Sequence, residues 1–420
     1  MKKKLLVILG AGSSIDQGMP SVGDLDECMK KWSADWFRCD PAMPQNLDNY
    51  FEELWNCEDK YYEESFLSYR TKPNFEKILG DLLGLAHWMA PAPRGNPLRK
   101  FVSENGWPVG LRYRFDRMRA PYGANVMINW QHAYLLSCLA QHIREICRHF
   151  DSSSRSYSQY QQLLEVLQDQ FEIGIYNLNY DNLALTAFPG AFTGFSNQGE
   201  FCPAQVHERS DWGFVYHLHG SVHHTLSGSS SGPIRWQESL DSKFTDGQQG
   251  QAINKMSDGK SFPFASLVAG GFKLDHLLIE PYHSLYAAFV RHIHQADAIL
   301  IAGYGFGDEH VNKILQNRLE DSVWRRNSIR PPIVVLTKSN DGECPMDIRQ
   351  DNWGMSVKQT LFCPVGFEVD QLGPSRNDGR LLSRSFETSV TARVSIWHGG
   401  FCEAAEFSER IRQFLETGGG

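Results

Sequence analysis

Two hydrophobic rhythms divide the chain. Short apolar runs stand at Lys3–Leu9, 172–178, 277–279, Ala298–Ala302, 332–337 and 393–397, and another strand closes at 217–221. An unbroken apolar run closed by glycine or asparagine suits a strand buried on both faces. Between the runs, apolar residues recur every three or four positions. Leu135, Leu139, Ile143, Ile146 and Phe150 share one helical face over 131–150. Tyr160, Leu163, Leu164 and Leu167 follow a serine-rich linker and cap at 152–156. Leu285, Phe289 and Ile293 mark a helix over 285–295, Val311, Ile314, Leu315 and Leu319 another behind Asp308, and 404–415 closes the chain as a last helix. Strands alternating with amphipathic helices predict an α/β fold, a Rossmann-like open parallel sheet with helices on both faces.

That alternation starts at residue 3, stops near residue 23 and resumes near residue 152. The span 24–151 is aromatic (Trp32, Trp36, Phe37, Tyr50, Phe51, Trp55, Tyr61, Tyr62, Phe66, Tyr69) and poor in β-branched runs. It is expected to form a large helical insert, so that 1–23 and 152–420 make the α/β domain and 24–151 a separate subdomain. Its aromatic residues suit either the core of that subdomain or a contact with a second molecule. Serine- and glycine-rich runs at 227–232 and 245–259 read as surface loops.

Composition narrows the class. Hydrophobic residues make up 41% and charged residues 21%, as in an ordinary globular protein. A net charge of −8 argues against a surface built for nucleic-acid phosphates. No apolar run approaches the ~18 residues a membrane span needs. The lysines before the first apolar run imitate a signal peptide, but the run breaks at Gly10-Ala11-Gly12 and reads as the first core strand. Nine cysteines at irregular spacing, without a C-x-x-C pair, fit reduced thiols and a cytoplasmic protein.

Candidate chemistry gathers where predicted strands end. Gly10-Ala11-Gly12-Ser13-Ser14 follows the first, and a glycine turn there offers backbone N–H groups to a phosphate, with Ser13–Gly18 expected to open the receiving helix. The same glycines would also serve close packing. Asn179 and Asp181 flank Tyr180 at the end of the second strand, a position that an ordinary Asn/Asp turn would also explain. His219-Gly220-Ser221 ends the third, with the histidine suited to proton transfer. His217, His219, His223 and His224 raise metal binding as a rival, yet no cysteine, aspartate or glutamate lies among them, and no metal is expected. Gly303-Tyr304-Gly305-Phe306-Gly307-Asp308 ends a buried strand and offers a second ribose or phosphate contact, with Asp308 as helix cap. His398-Gly399-Gly400 is a further glycine turn.

Together, Gly10-Ala11-Gly12, Asn179-Tyr180-Asp181 and His219-Gly220 resemble the sirtuin family. The spacing through Gly18-Met19-Pro20 fits it as well. The form Gly-Tyr-x-Phe-x-Asp-x-x-x-Asn, completed by Asn312, resembles its bacterial sirtuin-like branch, which destroys NAD+ in antiphage defence. The resemblance implies NAD+ as substrate, with Gly10, Ala11, Gly12, Ser13 and Ser14 at the pyrophosphate and Asp181 at the nicotinamide carboxamide. Asn179 and His219 would be catalytic, the asparagine holding a water and the histidine taking its proton. Gly220, Ser221, Gly303, Tyr304, Gly305 and Asp308 would complete the cofactor-binding set.

The sequence departs from deacylase relatives. Ser21-Val22 stands where they carry Phe-Arg, no C-x-x-C pair exists for a zinc ribbon, and forty positions separate Asn179 from His219. The expected activity is therefore hydrolysis of NAD+ to ADP-ribose and nicotinamide. A binding or scaffold subunit without turnover is the alternative, and a deacylase is disfavoured. Because free NAD+ hydrolysis would harm its host, the resemblance also implies control, by homo-oligomer assembly or by a separate partner such as a HerA-type ATPase. Neither a nucleic acid nor a membrane is expected as a partner.

Overall fold

The computed structural model describes residues 2–36, 49–64, 72–89, 124–226, 233–242, 253–255, 261–263, 266–270, 277–324, 329–340, 343–344, 346, 349–362, 371–372 and 383–419. Within them the strands are β1 (Lys3–Leu9), β2 (Phe171–Asn177), β3 (Phe214–His217), β4 (His224–Leu226), β5 (Ile234–Trp236), β6 (Ile253–Lys255), β7 (Ser261–Pro263), β8 (Ala298–Ala302), β9 (Ile333–Leu336), β10 (Gln371–Leu372), β11 (Phe386–Ser389) and β12 (Val394–Trp397). The chain divides into two compact units. One comprises Met1–Ser21, Ile146–Ser221 and Pro281–Gly420, the other Val22–Glu145 and Val222–Glu280.

The first unit carries an eight-stranded sheet in the order β10-β11-β12-β9-β8-β1-β2-β3. The pairs β12–β9, β9–β8, β8–β1, β1–β2 and β2–β3 are parallel, while β11 pairs antiparallel with both its neighbours. Register aligns the ends of the parallel strands: Leu9 lies opposite Asn177 and Ala302, Asn177 opposite His217, Ala302 opposite Leu336, and Leu336 opposite Trp397. The loops beginning at Gly10, Leu178, Leu218, Gly303, Thr337 and His398 therefore leave from one edge. From β1 the sheet grows one way through β2 and β3 and the other way through β8 and β9, so the switch point lies between the β1 and β8 loops.

Alternation along the strands sorts side chains onto two covered faces. Leu5, Val7, Leu9, Ile173, Ile175, Leu300 and Val334 pack with the helices Arg155–Gln168 and Ser408–Thr417 through Leu163, Leu167, Ile411 and Leu415. On the opposite face Tyr176 meets Phe289 of the helix Tyr282–Gln295 at 4.7 Å between rings, and its hydroxyl lies 2.8 Å from His292 Nδ1. Desolvation lowers His292 to about 3, so its ring is neutral. Arg291 donates to Nε2 at 3.0 Å, which leaves the ring proton on Nδ1 to be donated to the Tyr176 hydroxyl. The open α/β sheet with helices on both faces is thus the observed architecture.

Two local expectations fail. Residues 277–279 form turns instead of a strand, and Leu278 is exposed. Three apolar residues running into Glu280-Pro281 carry no alternation to hold a ladder, and a proline cannot donate to one. Ser13–Gly18 does not open a helix either. Ala11–Ser13 and Ile15–Gln17 are two 3₁₀ turns, the second ended by Gly18 with φ of 86°. β11 carries no apolar run and was invisible to the pattern. Its polar side chains find buried partners instead, Thr388 with Ser395 at 2.9 Å and Glu387 with His398 at 2.9 Å.

The second unit contains the helices Val22–Trp36, Tyr50–Glu63 and Phe75–Met89, most of Ala124–Arg148, and the hairpins β4–β5 and β6–β7. Asn49 caps the second helix by accepting the Glu52 N–H, and Asp26 accepts the Phe75 N–H at 2.7 Å. Trp36, Tyr50, Phe51 and Trp55 are buried while Tyr61 is exposed. Phe37, Phe66, Tyr69, the run 227–232 and most of 245–259 lie outside the described residues. Arg144, itself buried, donates to the carbonyls of Val222, Ser239, Leu240 and Ser242 and so joins the two chain segments of this unit.

Replacing Arg144 with Met would leave those carbonyls without their donor. We expect a loss of about 3 kcal/mol, read from chemical denaturation of the unit containing Val222–Glu280.

Candidate active site

The glycine turn is the first piece to assemble. Gly10 N–H donates to the Ala302 carbonyl and Gly12 N–H to the Gly303 carbonyl, both at 2.9 Å. Ser13 N–H returns to Gly10 and Ser14 N–H to Ala11. These four amides thus serve the protein's own turn, which corrects the expectation that the turn presents bare N–H groups. What the glycines permit is contact between two main chains. A Cβ on Gly10 would lie 2.7 Å from the Gly303 oxygen, one on Gly12 2.9 Å from Gly303 Cα, and one on Gly303 2.0 Å from Ser13 N. Gly303 also has φ of 60°, which favours glycine further. Ala11 lies exposed on the outside of the turn, while Ser13 and Ser14 are buried.

The second strand end closes onto this turn. Asn179 Nδ2 donates to the Gly10 carbonyl at 2.9 Å and to the Ser14 hydroxyl at 3.1 Å. The Asp181 carbonyl accepts from Asn177 Nδ2 and from His217 Nε2 at 3.0 Å, which fixes the loop. The Asp181 carboxylate takes the Leu183 N–H at 3.1 Å and is hydrogen-bonded by Ser14 and Asn179. Burial still outweighs those bonds and raises Asp181 above the usual carboxylate value.

His219 sits beyond β3 with its ring buried. Nδ1 donates to the Leu178 carbonyl at 3.1 Å, beside Asn179. Nε2 lies 3.0 Å from Asp308 Oδ2 and 3.2 Å from the Tyr286 hydroxyl. Gly220 follows with φ of 101°, then buried Ser221. The remaining histidines go elsewhere: His217 to the Asp181 carbonyl, and His223 to the Gln237 carbonyl at 2.8 Å in the other unit.

The β8 loop is clasped by a residue four positions past its cap. Asn312 Nδ2 donates to the Phe306 carbonyl at 2.8 Å, and the Tyr304 hydroxyl lies 2.9 Å from Asn312 Oδ1. Phe306 is buried with φ of 54°, a strained value for a bulky residue. The clasp therefore holds a backbone that would otherwise relax, and it sets the position of Asp308.

Beside this polar cluster lies a cavity of about 260 Å³, lined among others by Gly12, Gly303, Gly305, Lys338, Trp353 and Gly400. Its mouth carries an ion pair, Lys338 Nζ to Asp16 Oδ1 at 3.3 Å. Gly10, Ala11, Ser13, Ser14, Asn179, Asp181, His219, Gly220, Ser221 and Asp308 are not part of its lining. Tyr286, Asp16, Lys338 and Trp353 were not anticipated. Lys338 and Asp16 did sit just past a strand end and a glycine turn, a signal that could have singled them out. Tyr286 and Trp353 lie on helices among ordinary aromatic positions, and nothing local marks them.

Residues 174–348 match the family model of the SIR2-like domain. That span starts in β2 and includes Asn179, Asp181, His219 and Gly303–Asp308 but not the Gly10 turn. No curated protein matches the sequence. Among solved structures, the chain is similar to a Sir2 homologue in complex with NAD at 16% identity and a TM-score of 0.32, over 81% of this chain and 79% of that one. It is also similar to a phenylalanine-to-alanine variant of a Sir2 homologue with ADP-ribose, at 12% identity and a TM-score of 0.32, over 87% and 95%. No described helix is long and apolar enough to cross a membrane.

Two stability predictions follow from this geometry. Gly303→Ala forces a Cβ into the Ser13 amide and should cost at least ~2 kcal/mol in thermal or chemical unfolding. Asp181→Asn should act in the opposite sense. A carboxyl whose folded value is raised binds its proton more tightly folded than unfolded, so its contribution is favourable in acid and is lost as pH rises through the folded value. The Asn variant is expected to exceed the wild type in stability at neutral pH and to lose that advantage in acid, as melting curves across pH would show.

Proposed function

We propose that the chain cleaves NAD+ with water, yielding ADP-ribose and nicotinamide. The observation that carries this reading is the meeting of Asn179, Asp181, Ser14 and the His219–Asp308 pair along one strand-end edge, beside a cavity at the switch point. The cavity falls just below the ~300 Å³ at which small-molecule sites begin. It suits one end of a dinucleotide, here the adenosine end, with Trp353 as a flat apolar wall. The pyrophosphate then passes the turn 10–14, and the nicotinamide end reaches Asp181 and His219.

In the proposed reaction the ribose C1′–nitrogen bond breaks and its electron pair goes to the nicotinamide nitrogen, which leaves uncharged. A water oxygen forms the new bond to C1′, and the proton it gives up goes to His219. Asn179 places that water, and Asp181 binds the nicotinamide carboxamide. Positive charge grows on the ribose as the bond breaks, and polar groups fixed in advance stabilise it without having to reorganise.

The motif from Gly303 to Asn312 resembles the bacterial sirtuin-like branch. On that ground we extend the proposal to NAD+ depletion in antiphage defence, by a cytoplasmic homo-oligomer under the control of a separate partner such as a HerA-type ATPase.

The test is direct. Purified chain is incubated with NAD+, and nicotinamide and ADP-ribose are quantified beside Asn179→Ala and His219→Ala. Turnover should fall on the order of a hundredfold or more in each variant. NAD+ binding without turnover, with or without the partner, would instead favour a sensing or scaffold subunit.

A further inference from the structure

His219 holds both ring nitrogens against acceptors. Nδ1 faces the Leu178 carbonyl at 3.1 Å, and Nε2 faces Asp308 Oδ2 at 3.0 Å. The Leu178 carbonyl can only accept, so the neutral ring carries its proton on Nδ1 and keeps a lone pair on Nε2, to which the Tyr286 hydroxyl can donate. When Nε2 gains a proton, Asp308 Oδ2 stands ready to accept it. The two side chains are 7% and 5% exposed, so solvent screens the pair little.

We propose that Asp308 is the positioning residue of His219, orienting its ring and stabilising the imidazolium that forms once His219 has taken a proton. The proposal rests on the NAD+-cleaving reading and deepens it.

Capping alone does not account for Asp308. One oxygen, Oδ1, accepts the N–H groups of His310 at 3.0 Å and Val311 at 3.3 Å, which caps the helix Glu309–Trp324. Asparagine or serine would cap as well. Only an acid also supplies a second, charged oxygen, and that oxygen is the one facing His219.

Two tyrosine hydroxyls also reach this point. Tyr286, from the helix Tyr282–Gln295, reaches Nε2 at 3.2 Å, and the Tyr304 hydroxyl donates to the Asp308 carbonyl at 3.0 Å. Burial, reinforced by the nearby Asp308 carboxylate, raises both tyrosines and keeps them neutral. The charge facing the ring from these neighbours therefore comes from Asp308.

Nδ1 is committed to a main-chain carbonyl, which leaves Nε2 as the nitrogen that receives the water proton. Asp308 pairs the charge that arrives with it. Its other consequence is that the ring gives the proton up less readily, so Asp308 sets the acid limb of the pH–rate profile.

Asp308→Asn tests this, since the amide oxygen keeps the cap while the charge is gone. Ring ¹⁵N signals of His219, assigned by their loss in His219→Asn, are followed against pH in the full chain without substrate. We expect the second ring proton to leave at lower pH in Asp308→Asn than in the wild type, by about one pH unit or more. The acid limb of NAD+ turnover should move the same way. Identical titration in both proteins would overturn the proposal, even if the variant lost thermal stability, because Asp308 would then be a cap and nothing more. A shifted titration in a chain that never cleaves NAD+ would uphold the His219–Asp308 pairing and remove the reaction assigned to it.

Discussion

Two loop backbones touch where the sheet changes direction, and the site depends on that contact. Gly10 and Gly12 after β1 and Gly303 after β8 approach so closely that no Cβ fits between them. Their amides and carbonyls bond across the gap at 2.9 Å. Parallel register brings the strand ends level, and the absent side chains let the loops close. With the Gly10 carbonyl fixed in this way, Asn179 has a defined acceptor at 2.9 Å. With Gly303 fixed, the loop carrying Asp308 leaves in a direction that reaches His219.

A second layer of constraint is electrostatic. Asp181 is held ionisable in a buried position where burial raises it, against the partial relief of Ser14, Asn179 and the Leu183 amide. Phe306 keeps a left-handed backbone because Asn312 clasps its carbonyl. Neither arrangement favours folding by itself. Each is carried by an apolar sheet covered on both faces, whose central residues from Leu5 to Leu9 and Ala298 to Ala302 are almost completely buried. Destabilising groups gathered at one edge of a well-packed scaffold are what a site built for chemistry requires.

Much of the scaffold was legible because its signals are local. The runs at β1, β2, β8, β9 and β12 are apolar since both faces of each strand are covered, and the flanking helices show their buried stripe every three or four residues. β11 left no such trace: Glu387 and Thr388 are buried through hydrogen bonds to His398 and Ser395, which belong to later chain. The triplet 277–279 misled for the converse reason, being apolar without the length or partners of a strand. The glycine turn was legible as a turn after a strand, but its amides satisfy its own backbone and the β8 loop, a choice that only the approach of residue 303 settles.

The sequence by itself determined the alternation of strands and helices, the strand ends and the residue types placed there: glycines, Asn179, Asp181, His219 and Asp308. These follow from interactions within a few residues, where periodic burial and turn chemistry leave their mark. Tertiary structure alone decided which of them meet. Asp308 serving His219 as well as its own helix, Tyr286 reaching the same ring, and Lys338 pairing with Asp16 are contacts between chain segments far apart in number. No local pattern encodes them, because their geometry comes from sheet order and register, which the whole packed core fixes at once.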